Sequence, residues 1–111
     1  MSTLVMKFGG TSVGTSSAIL QTANIIRQHK TRWNNLVVVV SAMSGITDKL
    51  IQSARRAAIN DGAGARAIIE KIQNQHLAVI VELITNPDEK RTLLQDINQR
   101  LKALDRKIVV K

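Results

Sequence analysis

The chain has 111 residues, 44% of them hydrophobic and 22% charged, which is typical of one small globular domain rather than of a disordered segment. Its net charge of +8 favours anionic partners such as nucleotides, nucleic acid or an anionic membrane. The cations are spread along the sequence rather than clustered. The alternative is therefore that the chain is part of a longer protein whose acidic residues lie elsewhere. The absence of cysteine excludes disulfides, thiolate chemistry and cysteine-based zinc sites.

The start of the chain has no basic segment followed by an apolar stretch, so we expect no secretion signal. The longest uninterrupted apolar run covers residues 36–40 and is too short to span a bilayer. We therefore expect a cytoplasmic protein with no membrane partner.

The first part of the sequence has the pattern of a βαβ unit. Apolar residues at 4–6 together with Phe8, ended by glycines, predict a buried strand, and residues 15–30 have apolar side chains at helical spacing. The apolar positions of this helix are Ile19, Leu20, Ala23, Ile25 and Ile26, and its candidate N-caps are Thr15, Ser16 and Ser17. Residues 33–35 predict a turn, and the β-branched run 36–41 predicts a strand covered on both faces. This order predicts two parallel strands joined by a helix.

Three more helices are predicted further along the chain. Residues 47–59 form the first, a break follows at 61–64, and residues 65–84 form a strongly amphipathic second helix. Asn86 is a candidate cap for the third helix, with Pro87 as its first residue. The apolar positions of the last two helices are Ile68, Ile69, Ile72, His76, Val79, Ile80 and Leu83, and then Leu94, Ile97, Leu101, Leu104 and Ile108. This spacing predicts an antiparallel hairpin, and residues 108–111 predict either a helix tail or the start of a strand.

A glycine-containing loop, KFGGTSVG at residues 7–14, joins the first strand to the first helix. Ligands of open α/β sheets gather beyond the carboxyl ends of the strands, which is where this loop lies. Gly9 and Gly10 lack Cβ atoms, so their backbone N–H groups can approach a phosphate closely, and the positive end of the next helix adds anion affinity. Thr11 and Ser12 add hydroxyl donors. The loop therefore predicts a phosphate site, the alternative being a simple glycine turn.

The position of the lysine separates this loop from two better-known phosphate motifs. Lys7 precedes the glycines, whereas a Walker loop has its lysine after them, at the start of the helix. Gly9, Gly10 and Gly14 also lack the spacing of the dinucleotide fingerprint. On a rigid strand, Lys7 is placed to neutralise charge on a phosphoryl group in transfer, unless it is only a solvated lysine beside a turn.

A second polar loop, SAMSGIT at residues 41–47, leaves the second strand. If the two strands are neighbours, both loops open on the same edge of the sheet. Ser41, Ser44 and Thr47 can then bind the polar groups of a small substrate beside the phosphates. Thr47 is also a candidate N-cap for its helix. Ser41 has no neighbouring histidine or carboxylate to activate it, so a nucleophilic serine is excluded.

The remaining histidines and carboxylates predict no further chemistry. His29 is near a helix end, where a cation is favourable, and His76 is on an apolar helix side, where we expect a packed core residue. Asp48, Asp61 and Glu70 have neither paired-carboxylate nor metal-ligand spacing, so no protein-bound metal is predicted.

The segments VMKFGGTSVG at residues 5–14 and VVVVSAMSGIT at 37–47 together closely resemble the opening of aspartate kinases, which belong to the amino-acid kinase family. The resemblance continues into the helical segment and covers essentially the whole chain. It implies an α/β, three-layer αβα amino-acid kinase-like fold that is present only in part. Residues 1–111 would be the N-terminal part of the catalytic domain, with a βαβ phosphate and substrate module at 1–60 and a helical hairpin at 64–109.

The resemblance also implies an activity, the transfer of the ATP γ-phosphate to the side-chain carboxylate of L-aspartate on the route to lysine, threonine and methionine. Lys7 would be the catalytic residue that contacts the transferring phosphate. The implied ATP-binding residues are Lys7, Phe8, Gly9, Gly10, Thr11 and Ser12. Ser41 and Thr47 would help to hold aspartate, and magnesium would arrive bound to ATP.

Members of this family also have a downstream acidic substrate-binding segment, a glycine-rich loop with Arg and Asp, an adenine pocket and regulatory ACT domains. We therefore expect no turnover from these 111 residues alone, and we expect a partner that is either the remainder of the kinase or a second copy. The alternatives are a kinase for glutamate, acetylglutamate or carbamate, or a non-catalytic binding or assembly module. Phe8 and Trp33 are the only aromatic residues, so no stacking platform for nucleic acid is predicted.

Overall fold

A computed structural model describes residues 2–108 of the chain. The elements are β1 (Thr3–Phe8), α1 (Ser16–His29), β2 (Asn35–Val40), α2 (Ile46–Ala58), α3 (Gly62–Leu83) and α4 (Pro87–Ile108). These strands and helices confirm the predicted partial α/β architecture. The predicted tail or strand start lies, beyond Ile108, outside the described residues.

Contacts divide the chain into two compact units, with the boundary between Gly45 and Ile46. The first unit contains β1, α1 and β2, and the second contains α2, α3 and α4. The sequence-based subdivision grouped α2 with the βαβ segment, whereas its contacts place it with the two helices that follow.

The two strands of the first unit pair in parallel, with Thr3 opposite Asn35 and Phe8 opposite Val40. The helix between the strands returns the chain to the same end of the sheet, which permits parallel pairing. β2 begins one residue earlier than predicted, so Asn35 belongs to the strand and the turn lies at residues 30–32.

One prediction about β2 is wrong, because within the described chain its valines are not covered on both faces. Val5, Val37 and Val39 share one face of the sheet and are 64%, 46% and 47% exposed. On the opposite face, Phe8 lines a cavity together with Ile25 of α1. The single connecting helix covers this opposite face only in part, since Val38 and Val40 on it are 36% and 56% exposed.

The starts of α1 and α2 differ in how well the sequence predicted them. Thr15 caps α1, as one of the predicted candidates, and its Oγ1 accepts a hydrogen bond of 3.1 Å from the Ala18 N–H. The prediction that Thr47 caps α2 is wrong, because this helix begins at Ile46 and Thr47 lies inside its first turn. Gly45 has a φ of 80°, and this glycine conformation turns the chain into the helix before Thr47.

The link between α2 and α3 is a tight helix end of the Schellman type. Asn60 has a φ of 63°, and the Asp61 N–H donates to the Arg56 carbonyl at 2.8 Å. The Asp61 side chain then caps α3 by accepting from the Gly64 N–H at 2.9 Å. The break between the two helices therefore ends at Asp61 and does not extend over the predicted residues 61–64. Because Asp61 caps α3, Gly62 and Gly64 both lie in the first turn of that helix.

The second unit has its core between α2 and α3. The most buried residues are Ile46 and Ser53 of α2 and Ala65, Ile69 and Ile72 of α3. Those of α3 follow the i, i+4, i+7 spacing of one helix face. Small side chains at two of these five positions permit a close approach of the helices.

The predicted antiparallel hairpin of α3 and α4 is confirmed by two side-chain contacts. Arg66 near the start of α3 pairs with Asp105 near the end of α4 at 3.3 Å. Further along, the Gln73 amide donates to the Asn98 side-chain oxygen at 2.6 Å. Asn86 caps α4 as predicted, accepting from two backbone N–H groups at 3.0 Å each. No residue of α4 is fully buried, so this helix is packed less tightly than α3.

Candidate functional site

The two polar loops of the first unit lie side by side, as expected if β1 and β2 are neighbours. The Ser41 N–H donates to the Phe8 carbonyl at 3.1 Å, which continues the pairing just past the strands. A Cβ atom placed on Gly10 would lie 3.6 Å from the Ser41 Oγ and 3.6 Å from the Ala42 carbonyl oxygen. Residues 9–14 and 41–45 therefore open on the same edge of the sheet.

The first loop is folded by two backbone hydrogen bonds, each between residues three positions apart. The Ser12 N–H donates to the Gly9 carbonyl at 3.0 Å, and the Gly14 N–H donates to the Thr11 carbonyl at 3.4 Å. Within residues 2–108 Gly10 takes part in no hydrogen bond, so its N–H group is available to a ligand. Gly9 is open on the side that a side chain would occupy, where no atom beyond its two chain neighbours would lie within 4 Å of a Cβ atom.

Lys7 lies next to the end of β1, immediately before this loop. Its side chain is exposed and belongs to the uncovered face of the sheet, across from Val39. The cations of residues 1–45 are Lys7, Arg27, Lys30 and Arg32, and the same residues include no aspartate or glutamate. No carboxylate of its own unit can neutralise Lys7, which favours an anionic ligand at this end of the sheet.

The start of α1 adds to the same electrostatic environment. Its first residue, Ser16, comes two residues after Gly14, and no acidic residue occupies its first turn. The N-terminal end of a helix has a partial positive charge. Between the loop and this helix lies a cavity of about 290 Å³, lined in part by Thr11, Ser12 and Gln21. The loop is therefore bordered by hydroxyl and amide groups on its helix side.

The predicted substrate residues are divided between the two units. Ser41 directly follows β2, is exposed, and donates from its Oγ to the Ala42 carbonyl at 2.7 Å. Ser44 approaches Gly14 of the first loop. Thr47 belongs to α2 and therefore to the second unit. The structure thus brings Ser41 close to the glycine loop within a single unit.

Sequence reasoning missed Thr22, which is one of two buried residues among residues 2–45, the other being Val13 of the loop. The Thr22 hydroxyl donates to the Ser12 carbonyl at 2.7 Å. Its position was a usable signal, since Thr22 lies three residues after Ile19 and four before Ile26 on the apolar side of α1. A polar residue in such a stripe needs a hydrogen-bond partner.

Neither histidine is close to this loop in the sequence, and the Nδ1 atom of each ring forms no hydrogen bond with it. The His76 ring is half-buried, and its Nδ1 lies 2.7 Å from the carbonyl oxygen of Ile72 in the preceding turn. His29 is the last residue of α1, and its buried Nδ1 has no hydrogen-bond partner among residues 2–108. In the same residues no group of three or more histidine and acidic side chains could hold a metal ion, and no helix has the length and apolar character to cross a membrane.

A parallel βαβ unit that presents a glycine loop, an adjacent strand lysine and a helix N-terminus on one edge has the features of a phosphate-binding α/β domain. Comparison with models of known protein families identifies one family within this class. The model described as the amino acid kinase family matches residues 2–110, and the chain belongs to this family. The family resemblance predicted from the two loop sequences is thereby confirmed.

Relatives of the chain include aspartate kinases from distant organisms. It is 48% identical over 56 residues to an aspartate kinase of Pseudomonas putida, covering 50% of the chain and 14% of the relative. It is 42% identical over 80 residues to an aspartokinase of Chlamydia muridarum, covering 72% and 16%. A bifunctional aspartokinase/homoserine dehydrogenase of Zea mays is 34% identical over 109 residues, or 96% of the chain and 11% of the relative. The chain thus spans a small fraction of the length of each.

Proposed function

We propose that the chain is the N-terminal portion of an aspartate kinase, which transfers the γ-phosphate of ATP to the side-chain carboxylate of L-aspartate. The observation that carries this proposal is the contact of the two loops at one edge of the sheet, in a chain of the amino acid kinase family. The reaction opens the route to lysine, threonine and methionine, and we assign the protein to the cytoplasm.

In this proposal Lys7 is the catalytic residue, and it stabilises negative charge on the transferring phosphoryl group. Its exposed ammonium group lies immediately before the loop and has no carboxylate partner in its own unit. Phosphoryl transfer needs little covalent chemistry from the protein, so positioning and charge stabilisation supply most of the catalysis. A lysine fixed on a strand contributes to both.

The glycine loop would bind the phosphates of ATP. The N–H group of Gly10 is unpaired among the described residues, and the space beside Gly9 is open, so an oxygen atom can come close to the backbone. The hydroxyl groups of Thr11 and Ser12 supply additional donors, and Phe8 holds the end of the strand. Magnesium would arrive with ATP, with water and phosphate oxygens as most of its ligands.

Aspartate would bind beside the phosphates with the help of Ser41 and Thr47. The position of Ser41 supports its part in this, because it borders Gly10 at the edge where the phosphates would lie. To orient the carboxylate of aspartate, the Ser41 hydroxyl would exchange its hydrogen bond to the Ala42 carbonyl for one to the substrate, without becoming a nucleophile. The role of Thr47 rests on the family resemblance alone.

The proposal is tested first by nucleotide binding to the 15N-labelled chain. Titration with Mg·ATP should shift the amide resonances of Gly9, Gly10 and Thr11, and adenosine, which lacks phosphates, should leave them in place. Equal shifts with adenosine and ATP, or no shift with ATP, would contradict a phosphate loop. Inorganic tripolyphosphate serves as a second probe that carries the phosphates without the base.

Catalysis is tested separately, because the chain spans only 11–16% of these relatives. We expect no aspartate-dependent ADP release from residues 1–111 alone. A rate that requires both ATP and aspartate, and that Lys7→Ala abolishes, would contradict this expectation. In a longer protein that contains this chain, assays with L-aspartate, L-glutamate, N-acetylglutamate and carbamate would distinguish an aspartate kinase from other kinases of the family.

A second candidate function is a non-catalytic module that associates with another copy of itself. The exposed valine face of the sheet favours it, because a contiguous apolar surface is usually covered in the working protein. Light scattering coupled to size exclusion separates the two candidates. A monomer across a hundredfold range of concentration would rule out self-association, whereas a dimer that binds no ATP would favour it over the kinase.

A further inference from the structure

The buried hydroxyl of Thr22 holds the glycine loop against α1. Thr22 is only 6% exposed, and its Oγ1 donates to the Ser12 carbonyl at 2.7 Å. Threonine within a helix commonly bonds the carbonyl of the preceding turn. Thr92 of α4 does this, with its Oγ1 at 3.0 Å from the Asp88 carbonyl. Thr22 instead donates to a residue ten positions earlier, outside its own helix.

The two backbone groups of Ser12 are therefore both held. Its N–H donates to the Gly9 carbonyl, and its carbonyl accepts from Thr22. This arrangement fixes the chain on one side of Gly10 and leaves the Gly10 N–H unpaired among residues 2–108. Val13, the residue after Ser12, is 8% exposed, so its side chain is buried at the same point of the loop. The loop is thus attached to α1 by the hydrogen bond from Thr22 to Ser12, next to the buried side chain of Val13.

We propose that Thr22 is a positioning residue that keeps the phosphate loop in its ligand-accepting conformation. This inference rests on the proposed phosphate-binding function of the loop. Without the hydroxyl, the Ser12 carbonyl loses its partner in a partly buried place, so it is free to turn toward solvent or toward the ligand. A carbonyl oxygen facing a phosphate is repulsive, and reordering the loop on binding lowers the affinity.

The test compares three single variants of the 15N-labelled chain. Thr22→Val removes the donor and keeps the shape of the side chain, whereas Thr22→Ser keeps the donor and removes a methyl group. Thr92→Val makes the same chemical change at an exposed helical hydroxyl in the second unit. Circular dichroism first establishes that each variant is folded at the assay temperature. If Thr22→Val is not, the smaller Thr22→Ala replaces it with the same expectation.

Two readouts are measured for each variant. The first is the order parameter of the Gly10 and Thr11 amides without ligand, and the second is the dissociation constant of Mg·ATP from the amide shifts. For Thr22→Val we expect lower order in the loop and binding that is weaker by about three- to tenfold, the range for loss of one neutral hydrogen bond. Thr22→Ser and Thr92→Val should remain within about twofold of the parent chain.

The outcomes separate the inference from the function on which it rests. If the parent chain binds Mg·ATP and Thr22→Val binds equally well, the positioning role is overturned and the phosphate loop stands. Binding that weakens equally in Thr22→Ser also overturns it, because the effect is then one of packing rather than of the hydroxyl. If the parent chain shows no shift with Mg·ATP or tripolyphosphate, the proposed function fails and the inference fails with it.

Discussion

Gly14 and Ser44 approach so closely that a Cβ atom on Gly14 would lie 2.9 Å from the Cβ atom of Ser44. The same atom would lie 2.9 Å from the carbonyl oxygen of Gly10. Gly14 therefore lies between its own loop and the loop that follows β2. Its missing side chain is what permits the two loops to touch.

We predict that Gly14→Ala destabilises the first unit. The added methyl group has backbone on one side and a short side chain on the other, so the loops must separate, at a cost of about 1–3 kcal/mol. Trp33, the only tryptophan, lies in this unit, so urea unfolding followed by its fluorescence measures the change. An unchanged unfolding midpoint would contradict the close approach.

We predict the opposite behaviour for Gly9→Ala, which serves as the matched comparison. Space is free around a Cβ atom at Gly9, so the free energy of unfolding should change by less than about 0.5 kcal/mol. The same methyl group occupies the side from which a phosphate would approach. We expect Mg·ATP binding to weaken at least tenfold, and equal binding by the variant would place the ligand elsewhere.

We predict that Lys7→Met weakens Mg·ATP binding by about ten- to a hundredfold, as expected for loss of one hydrogen bond to a charged group. Lys30→Met removes the same charge from the same unit, at the opposite end of α1 from the glycine loop. It should change binding by no more than about twofold in 0.15 M salt, where distant charges are screened. An equal loss of Mg·ATP affinity in both variants would show that the net positive charge of the unit, and not Lys7 in particular, attracts the nucleotide.

For the second unit we predict that Ile72→Ala lowers the free energy of unfolding by about 2–5 kcal/mol, because it opens a cavity in the core. Ile72 is 3% exposed, whereas Val81 of the same helix is 58% exposed. Val81→Ala should be close to neutral, since alanine also favours the helix. Denaturation followed by circular dichroism at 222 nm compares the two, and similar losses would contradict the assigned core.

The elements with a clear hydrophobic period could be predicted from the sequence. The apolar stripe of α3, including Ile69 and Ile72, gave a correct helix face, and Asn86 followed by Pro87 gave a correct helix start. The predicted side-by-side position of the two loops followed from parallel pairing alone. These features depend on local chemistry and on the helical crossover, residues 9–34, that joins β1 to β2.

Features that depend on distant contacts could not be predicted in the same way. The run of valines in β2 is compatible with a strand covered on both faces, and residue type alone cannot reveal that Val37 and Val39 are exposed. The position of Thr22 in the apolar stripe of α1 indicates that it is buried, but only the structure shows that its partner is the Ser12 carbonyl, ten residues earlier. α2 begins at Ile46, one residue before the predicted start at Thr47. The positive φ of Gly45 belongs to the preceding turn, and the helical pattern of the sequence does not reveal it.

The conformation of Asn60 has a practical consequence for handling the protein. Asn60 is the one residue other than glycine with a positive φ among residues 2–108. Glycine adopts this conformation without the steric cost that a side chain brings, so Asn60→Gly should raise the melting temperature through about 0.5–1 kcal/mol of added stability. The substitution lies in the second unit and leaves both loops unaltered. It therefore offers a more heat-tolerant background in which core variants of the second unit, such as Ile72→Ala, can still be purified and assayed.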